Sequence, residues 1–132
     1  MGLLILVIAL ALLLAGVGFL SSRRAADASS EGAPSELLTE IQAGHAPLVL
    51  DVRTPEEYAK GHVPGALDVP VDQLESRISE LAGHREEPVV VYCEIAPRAV
   101  RGAKVLASAG FTSVRLLAGH MSAWRAAGLP IE

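Results

Sequence analysis

The stretch VVVYCEIAPRAVRGAKVLASAG, residues 89–110, is the part of the sequence that most clearly predicts the fold. The apolar run Val89–Tyr92 is typical of a buried strand, and the pattern over Pro97–Ala109 is typical of a helix that ends at Gly110. Shorter strand and helix patterns precede and follow this stretch. Strands that alternate with helices predict an α/β domain with an open, mostly parallel sheet flanked by helices.

The other predicted elements are short. Thr54 and Glu57 form a capping-box pattern with Pro55 at the first helical position, which predicts a short helix that ends near Gly61. The remaining predictions are helices capped by Ser35 or beginning at Asp72 and Met121, and strands over 48–52, 66–69 and 114–117.

Length and composition exclude several classes of protein. A chain of 132 residues forms one ordinary domain at most, and 51% apolar residues exclude disorder of the whole chain. Cys93 is the only cysteine, which excludes a disulfide framework and a cysteine-based zinc site. The four histidines do not have the spacing of metal ligands. The net charge of −4 gives no reason to expect nucleic acid as a partner.

The first 20 residues contain no charged side chain. At about 1.5 Å per residue, the apolar run Leu3–Leu20 is just long enough to cross the hydrocarbon core of about 30 Å. The sequence therefore predicts a transmembrane anchor over residues 1–20, a flexible tether over 21–34 and an α/β domain over 35–132. The alternative is a cleaved secretory signal. Such signals begin with a positively charged region, but no Lys or Arg precedes the apolar run.

Two arginines set the expected orientation of this single-pass membrane protein. Arg23 and Arg24 follow the apolar run directly, and the positive-inside rule then places the C-terminal domain in the cytoplasm. A periplasmic or exported domain is the alternative.

Cys93 lies where this architecture usually carries its chemistry. Ligands of open parallel sheets bind beyond the carboxyl ends of the strands, and Cys93 directly follows the strand Val89–Tyr92. The helix that starts at Pro97 offers unpaired N–H groups and a dipole that favours a thiolate, which is the nucleophilic form of the thiol. Arg98 is placed to hold an anionic substrate. A small, buried and inert cysteine is the alternative interpretation.

Three groups of motifs make residues 48–132 resemble the single-domain rhodanese family. The first is DVRTPEEY at 51–58 with GHVPGA at 61–66, and the second is VYC at 91–93 with Arg98. The third runs from AGF at 109–111 through LAG at 117–119 and AW at 123–124 to GLP at 128–130.

The resemblance implies a sulfurtransferase that carries sulfur as a persulfide on Cys93, without a metal or organic cofactor. A small-molecule or protein persulfide, or thiosulfate, would be the donor, and a thiol or cyanide the acceptor. The membrane would be contacted only through residues 3–20. Asp51, Arg53 and His62 are expected to be structural residues near the site. The substrate cradle is expected from the backbone amides of 94–98 and the Arg98 charge, that is, from Glu94, Ile95, Ala96, Pro97 and Arg98.

Some residues depart from the family's usual pattern. Ala96 replaces a common glycine, Pro97 has no N–H, and the Glu94 carboxylate is expected to disfavour the thiolate and repel thiosulfate. We therefore expect weak activity with thiosulfate. The alternative function is a catalytically weak rhodanese-like module that binds a partner at the membrane. His120 stands where the family usually has glycine and is expected to be a solvated loop histidine.

Overall fold

The computed structural model describes residues 31–132 of the protein. Its five parallel strands form one sheet in the order β1-β5-β4-β2-β3. The strands are β1 Glu31–Gly32, β2 Leu48–Asp51, β3 Leu67–Asp68, β4 Val89–Tyr92 and β5 Val114–Leu117. The helices are α1 Pro34–Gln42, α2 Pro55–Ala59, α3 Val71–Leu74, α4 Pro97–Ser108 and α5 His120–Ala126, with a 3₁₀ helix over Ile78–His84. The predicted α/β architecture with an open parallel sheet is therefore confirmed.

The central strand β4 is buried on both faces of the sheet, as expected of an apolar run without alternation. Its residues Val89 and Val91 pack in one apolar cluster with the buried face of α4, while Val90 and Tyr92 pack in a second cluster with Trp124 of α5. Alternate side chains of a strand point to opposite faces, so helices cover the sheet on both sides. The carboxyl ends of β2, β4 and β5 meet at one edge, where the loops that follow them converge.

Several predicted boundaries shift in the structure. Ser35 does not cap α1, because the helix already begins at Pro34 after Ala33, and no side chain caps it. The helix predicted from Asp72 is broken into α3 and the 3₁₀ helix. The capping box of Thr54 and Glu57 is present as predicted.

The folded domain begins earlier than the predicted boundary at residue 35. Glu31 and Gly32 pair with Leu116 and Leu117 of β5, within the stretch that the sequence assigned to the tether. The pairing is possible because β5 would otherwise be an edge strand with free backbone groups, and the Ala118 N–H donates to the Gly32 carbonyl at 2.9 Å.

Within residues 31–132, no helix combines the length and the apolar character that crossing a membrane requires. The predicted membrane span over residues 3–20 lies outside the described residues.

Candidate active site

Cys93 directly follows β4 and begins the segment that leads into α4. Residues 93–98, which include the first two residues of α4, are here called the cysteine loop. Its side chain is 1% exposed, and Sγ accepts a hydrogen bond from the Ala99 N–H at 3.3 Å. Ala99 is the third residue of α4, so its N–H is one of the first-turn amides without a partner inside the helix. The sulfur atom therefore occupies the N-terminus of α4, where helix amides and the dipole favour negative charge.

The predicted substrate cradle consists of the amides of residues 94–98, and the structure shows which amide contacts the sulfur itself. The amide that donates to Sγ belongs to Ala99, one residue beyond the predicted range. Pro97 occupies the first helical position and has no N–H to offer, so the donor lies further into the helix. Ala96 precedes the helix as its N-cap residue, and Ile95 stands out from the loop with 67% of its surface exposed.

Arg98 is held by a carboxylate of another element. Its two terminal nitrogens donate to Oε1 and Oε2 of Glu57 in α2, at 2.6 and 2.9 Å. The hydrogen bonds from Arg98 lower the pKa of the Glu57 carboxyl to about 2. Glu57 was predicted only as part of a capping box with Thr54. The structure gives it a second contact, which ties α2 to the cysteine loop and occupies the guanidinium expected to bind a substrate.

Asp51 and Arg53 form a buried ion pair beside the cysteine loop. The guanidinium donates to Asp51 through Nε at 3.0 Å and Nη2 at 2.8 Å, and the side chains are 0% and 1% exposed. Burial opposes the charged form of Arg53, but the hydrogen bonds and charge of Asp51 outweigh it and raise the pKa of Arg53. Arg53 also donates to the Gly61 carbonyl at 2.8 Å and to Glu94 at 3.2 Å. The pair thus ties the cysteine loop, through Glu94, to β2 and to Gly61.

The Glu94 carboxylate is turned toward arginines. Arg125 of α5 donates to both of its oxygens, one of them at 3.1 Å, and Arg53 donates from the other side. The hydrogen bonds from Arg125, the largest cause, lower the pKa of Glu94. The sequence predicted that the Glu94 carboxylate disfavours the thiolate. It did not indicate that the guanidinium groups of Arg53 and Arg125 both pair with this carboxylate.

His62 contacts α2 and the C-terminal segment. Its Nδ1 lies 2.9 Å from the Tyr58 carbonyl oxygen, and its ring stacks on the Tyr58 ring with 3.6 Å between centroids. Its backbone N–H and carbonyl both pair with Glu132. These contacts join α2 to the C-terminal segment through His62.

His120 is not the solvated loop histidine that the sequence predicted. It is the first residue of α5 and is 2% exposed, and its Nδ1 lies 3.3 Å from the backbone nitrogen of Cys93. The sequence did hold a signal for this contact. His120 follows β5, the neighbour of β4, and the carboxyl ends of adjacent parallel strands lie side by side.

The described part of the chain offers no alternative centre with obvious chemistry. No three His, Cys, Asp or Glu side chains among residues 31–132 are grouped to hold a metal ion. An open groove of about 320 Å³ lies along the last turns of α4, where Lys104, Val105 and Ser108 face Glu75 and Ile78. Since α4 begins at the cysteine loop, this groove is at the far end of the helix from Cys93.

Comparison with known proteins finds relatives over the same region. The sequence model of the rhodanese-like domain family matches residues 33–127. A sulfurtransferase of Allochromatium vinosum is 38% identical over 84 residues, covering 64% of this chain and 77% of that protein. The structure of a human single-domain sulfurtransferase matches with a TM-score of 0.63 and 29% identity, covering 73% of this chain and 95% of that one.

One similar protein has a different kind of name. A helix-turn-helix-type transcriptional regulator of Mycobacterium tuberculosis is 44% identical over 103 residues, which cover 74% of this chain and 42% of the regulator. The chain thus spans less than half of that protein's length. The family match covers most of the chain, and the fold agrees with it. We conclude that this chain belongs to the rhodanese-like domain family, and that its relatives include sulfurtransferases.

Proposed function

We propose that this protein is a sulfurtransferase that carries a sulfane sulfur as a persulfide on Cys93. The observation that carries the proposal is the position of Sγ at the N-terminus of α4, where it accepts the Ala99 N–H. Amides at the start of a helix can hold the negative charge of a thiolate, the form of cysteine that attacks sulfur. Named sulfurtransferases among the relatives support the same chemistry.

The proposed transfer has two steps and needs no external oxidant or reductant. The Cys93 thiolate attacks the outer sulfur of the donor, a new S–S bond forms, and the donor's own bond to that sulfur breaks. Thiosulfate would leave as sulfite, and a persulfide would leave as a thiolate. An acceptor thiolate or cyanide then attacks the outer sulfur of the Cys93 persulfide, and the Cys93 thiolate returns. The second thiol must come from another molecule, because Cys93 is the only cysteine.

The charges around the loop favour a persulfide donor over thiosulfate. The guanidinium groups of the site are each matched by a carboxylate, so little positive charge is left to attract a dianion. The pairs and bridges are those of Arg53 with Asp51 and Glu94, Arg98 with Glu57, and Arg125 with Glu94. A low-molecular-weight or protein-bound persulfide depends less on such attraction.

Mass spectrometry of the intact full-length chain tests the sulfur carrier. The wild type is treated with a low-molecular-weight persulfide or with thiosulfate, beside Cys93→Ser as the control. We expect a gain of one sulfur atom in the wild type, reversed by cyanide or by a reductant and absent from the variant. A folded wild-type protein that gains no sulfur from either donor would refute the proposal.

We further propose that residues 3–20 anchor the domain to a membrane with its site in the cytoplasm. The apolar run and the two arginines that follow it support this assignment. A reporter fused to the C-terminus, active only in an exported compartment, tests the orientation. An active reporter would overturn the cytoplasmic assignment, and full recovery of the chain in the soluble fraction would overturn the anchor.

The second candidate function is a rhodanese-like module that binds a partner without turnover. The 1% exposure of Cys93 favours it, because a reagent must displace part of the loop to reach the sulfur. The region similar to this chain makes up 42% of the transcriptional regulator, so in that protein it is joined to further sequence, as a binding module would be. A failed persulfide test in a folded protein would favour this function.

A further inference from the structure

The start of α5 holds the cysteine loop through three hydrogen bonds, here called the α5 clamp. The Met121 N–H donates to the Cys93 carbonyl at 3.0 Å, and the Ser122 N–H donates to the Glu94 carbonyl at 3.2 Å. In the opposite direction, the Cys93 N–H donates to Nδ1 of His120 at 3.3 Å. The first-turn amides of α5 are thus used to bind the loop, and His120 supplies the only bond of the clamp that a side chain makes.

We propose that His120 is a positioning residue for Cys93, which in its neutral form holds the Cys93 backbone so that Sγ stays at the N-terminus of α4. Protonation of His120 removes this bond and loosens the cysteine loop. The inference deepens the proposed function, since it concerns the same nucleophile, but its test does not depend on sulfur transfer.

The direction of the hydrogen bond determines the protonation state of His120. A backbone N–H is only a donor, so Nδ1 must present its lone pair to Cys93 and the ring proton must be on Nε2. In the imidazolium both ring nitrogens carry protons, and Nδ1–H would then face the Cys93 N–H. The clamp therefore requires neutral His120.

Burial keeps His120 in that neutral state near neutral pH. Removal of the ring from water lowers the pKa of His120 below its ordinary value of 6.5. Two titratable groups bear on the ring from the packed elements: the Glu31 carboxylate of β1, which favours the imidazolium more weakly, and Cys93 itself at the end of β4. The His120 bond of the clamp is consequently present at neutral pH and is lost on acidification, while the two backbone bonds do not depend on the protonation of His120.

The backbone of His120 also indicates that surrounding contacts hold this residue in place. Its φ of 55° lies in the left-handed region, and among residues 31–132 His120 is the only residue other than glycine in that region. Such a conformation is energetically unfavourable in a residue with a side chain. A histidine exposed to solvent would gain nothing that offsets this cost, whereas the bond to Cys93 and the burial of the ring do offset it.

Two substitutions separate the bond from the backbone strain. His120→Asn keeps a side-chain oxygen that can accept the Cys93 N–H, tolerates left-handed backbone and does not titrate. His120→Gly relieves the left-handed strain but removes the acceptor. Neither substitution adds volume to the buried site, so we expect both variants to fold.

The first readout is the NMR signal of the Cys93 amide in the full-length chain, followed from pH 8 to pH 5. In the wild type we expect this signal to move with the His120 imidazole, with one shared midpoint below 6.5. In His120→Asn that inflection should be absent. The imidazole ¹⁵N shifts should place the ring proton on Nε2 at neutral pH.

The second readout is the rate at which iodoacetamide alkylates Cys93, the only cysteine of the chain. Comparison of the wild type with His120→Asn at each pH measures the effect of the titrating imidazole, because the asparagine side chain does not titrate. We expect the wild type to overtake His120→Asn on acidification, because loss of the His120 bond loosens the loop over the buried sulfur. His120→Gly, which lacks the acceptor, should react about fivefold faster than His120→Asn at every pH, the equivalent of one lost hydrogen bond.

A ring proton on Nδ1, or a Cys93 amide that ignores the titration of His120, would overturn the inference. A rate ratio that does not change with pH would also overturn it. If the NMR and alkylation results hold but Cys93 gains no sulfur, His120 still positions the cysteine and only the proposed sulfur carrier fails.

Discussion

Two acid–arginine pairs flank the cysteine loop, and they differ mainly in burial. The Asp51–Arg53 side chains are 0% and 1% exposed, whereas the Glu57–Arg98 side chains are 31% and 33% exposed. The shortest contacts, 2.8 and 2.6 Å, are similar. The buried pair cannot separate without leaving a charge in the core, but the half-exposed pair can exchange its partner for water or an anion. The Asp51–Arg53 pair therefore fixes the loop, whereas the Glu57–Arg98 pair can respond to the charge of a sulfur donor.

The buried pair also supports a wider network. Besides Asp51, Arg53 reaches the Gly61 carbonyl and the Glu94 carboxylate, which in turn binds Arg125 of α5. Among the described residues, Arg98 forms an ion pair only with Glu57. Loss of Arg53 should therefore affect stability, and loss of Glu57 should mainly affect reactivity.

The largest effect is expected from Arg53→Met, which leaves the Asp51 carboxylate buried and unpaired. We expect a loss of about 3–5 kcal/mol in the free energy of unfolding, measured by urea denaturation. The control is Arg101→Met, whose ion pair with Asp72 is 63% and 85% exposed and should contribute less than about 1 kcal/mol. Equal losses in the two variants would contradict the distinction between buried and exposed pairs. Addition of Asp51→Asn to Arg53→Met should recover part of the stability.

A second prediction concerns Asp68, which faces Asp51 across β3 and β2. Its Oδ2 is buried without a hydrogen-bond partner among the described residues. Burial, and then the charge of Asp51, raise the pKa of Asp68 from 3.8 to about 6. The folded state therefore binds the Asp68 proton more tightly than the unfolded state. The resulting contribution to the free energy of unfolding is present below pH 3.8 and is lost as pH rises through the folded-state pKa of about 6.

Asp68→Asn removes this carboxylate and should stabilise the protein by up to about 2 kcal/mol above pH 6. The gain should vanish below pH 3.8, where the wild-type carboxyl is protonated in both states. Urea denaturation at several pH values measures it. A gain independent of pH would show that the charge of Asp68 is not its cause.

A third prediction tests the half-exposed pair through Glu57→Gln. Glutamine keeps the capping-box contact but not the charge, so Arg98 becomes available to an anionic donor. We expect persulfide formation from thiosulfate to accelerate about fivefold, corresponding to about 1 kcal/mol for an exposed ion pair, and the reaction with a neutral persulfide to change little. Glu94→Gln, which frees Arg125, should act in the same direction.

The matched control is Glu56→Gln, an exposed neighbour of Glu57 in the same helical turn. It removes the same charge from α2 without releasing Arg98, so the thiosulfate rate should stay near that of the wild type. A wild type that reacts with thiosulfate as fast as both Glu57→Gln and Glu94→Gln would refute the charge-balance argument.

The smallest effect is the acid sensitivity of the Glu57–Arg98 pair. Because the pKa of Glu57 is lowered from 4.5 to about 2, its stabilising contribution is present above pH 4.5 and is lost as pH falls through that window. Solvent screening limits the contribution to less than about 1 kcal/mol. The difference in unfolding free energy between wild type and Glu57→Gln should shrink across this window. A difference that stays constant below pH 4.5 would exclude Glu57 as its source.

The success of sequence analysis differed between the fold and the site. Local patterns predicted β4 and β5 with their observed bounds and the Thr54–Glu57 capping box, because strand burial and helix capping depend on nearby residues. Ser35 failed as a cap, since Pro34 already occupies the first turn of α1. The helix predicted from Asp72 failed as one element, because α3 ends at Leu74, and Ile78 and Leu81 reach the core from a separate 3₁₀ helix.

By itself, the sequence determined the order of strands and helices, the parallel sheet and the position of Cys93 between β4 and α4. These features follow from periodicity, capping and the order of elements, which are properties of neighbouring residues. Only the tertiary structure decided the partners of the site. Arg98 meets Glu57 across 41 positions, and Cys93 meets His120 across 27. Parallel strands bring their carboxyl ends together whatever their separation in the chain, and burial then decides which charges and rings are held in place.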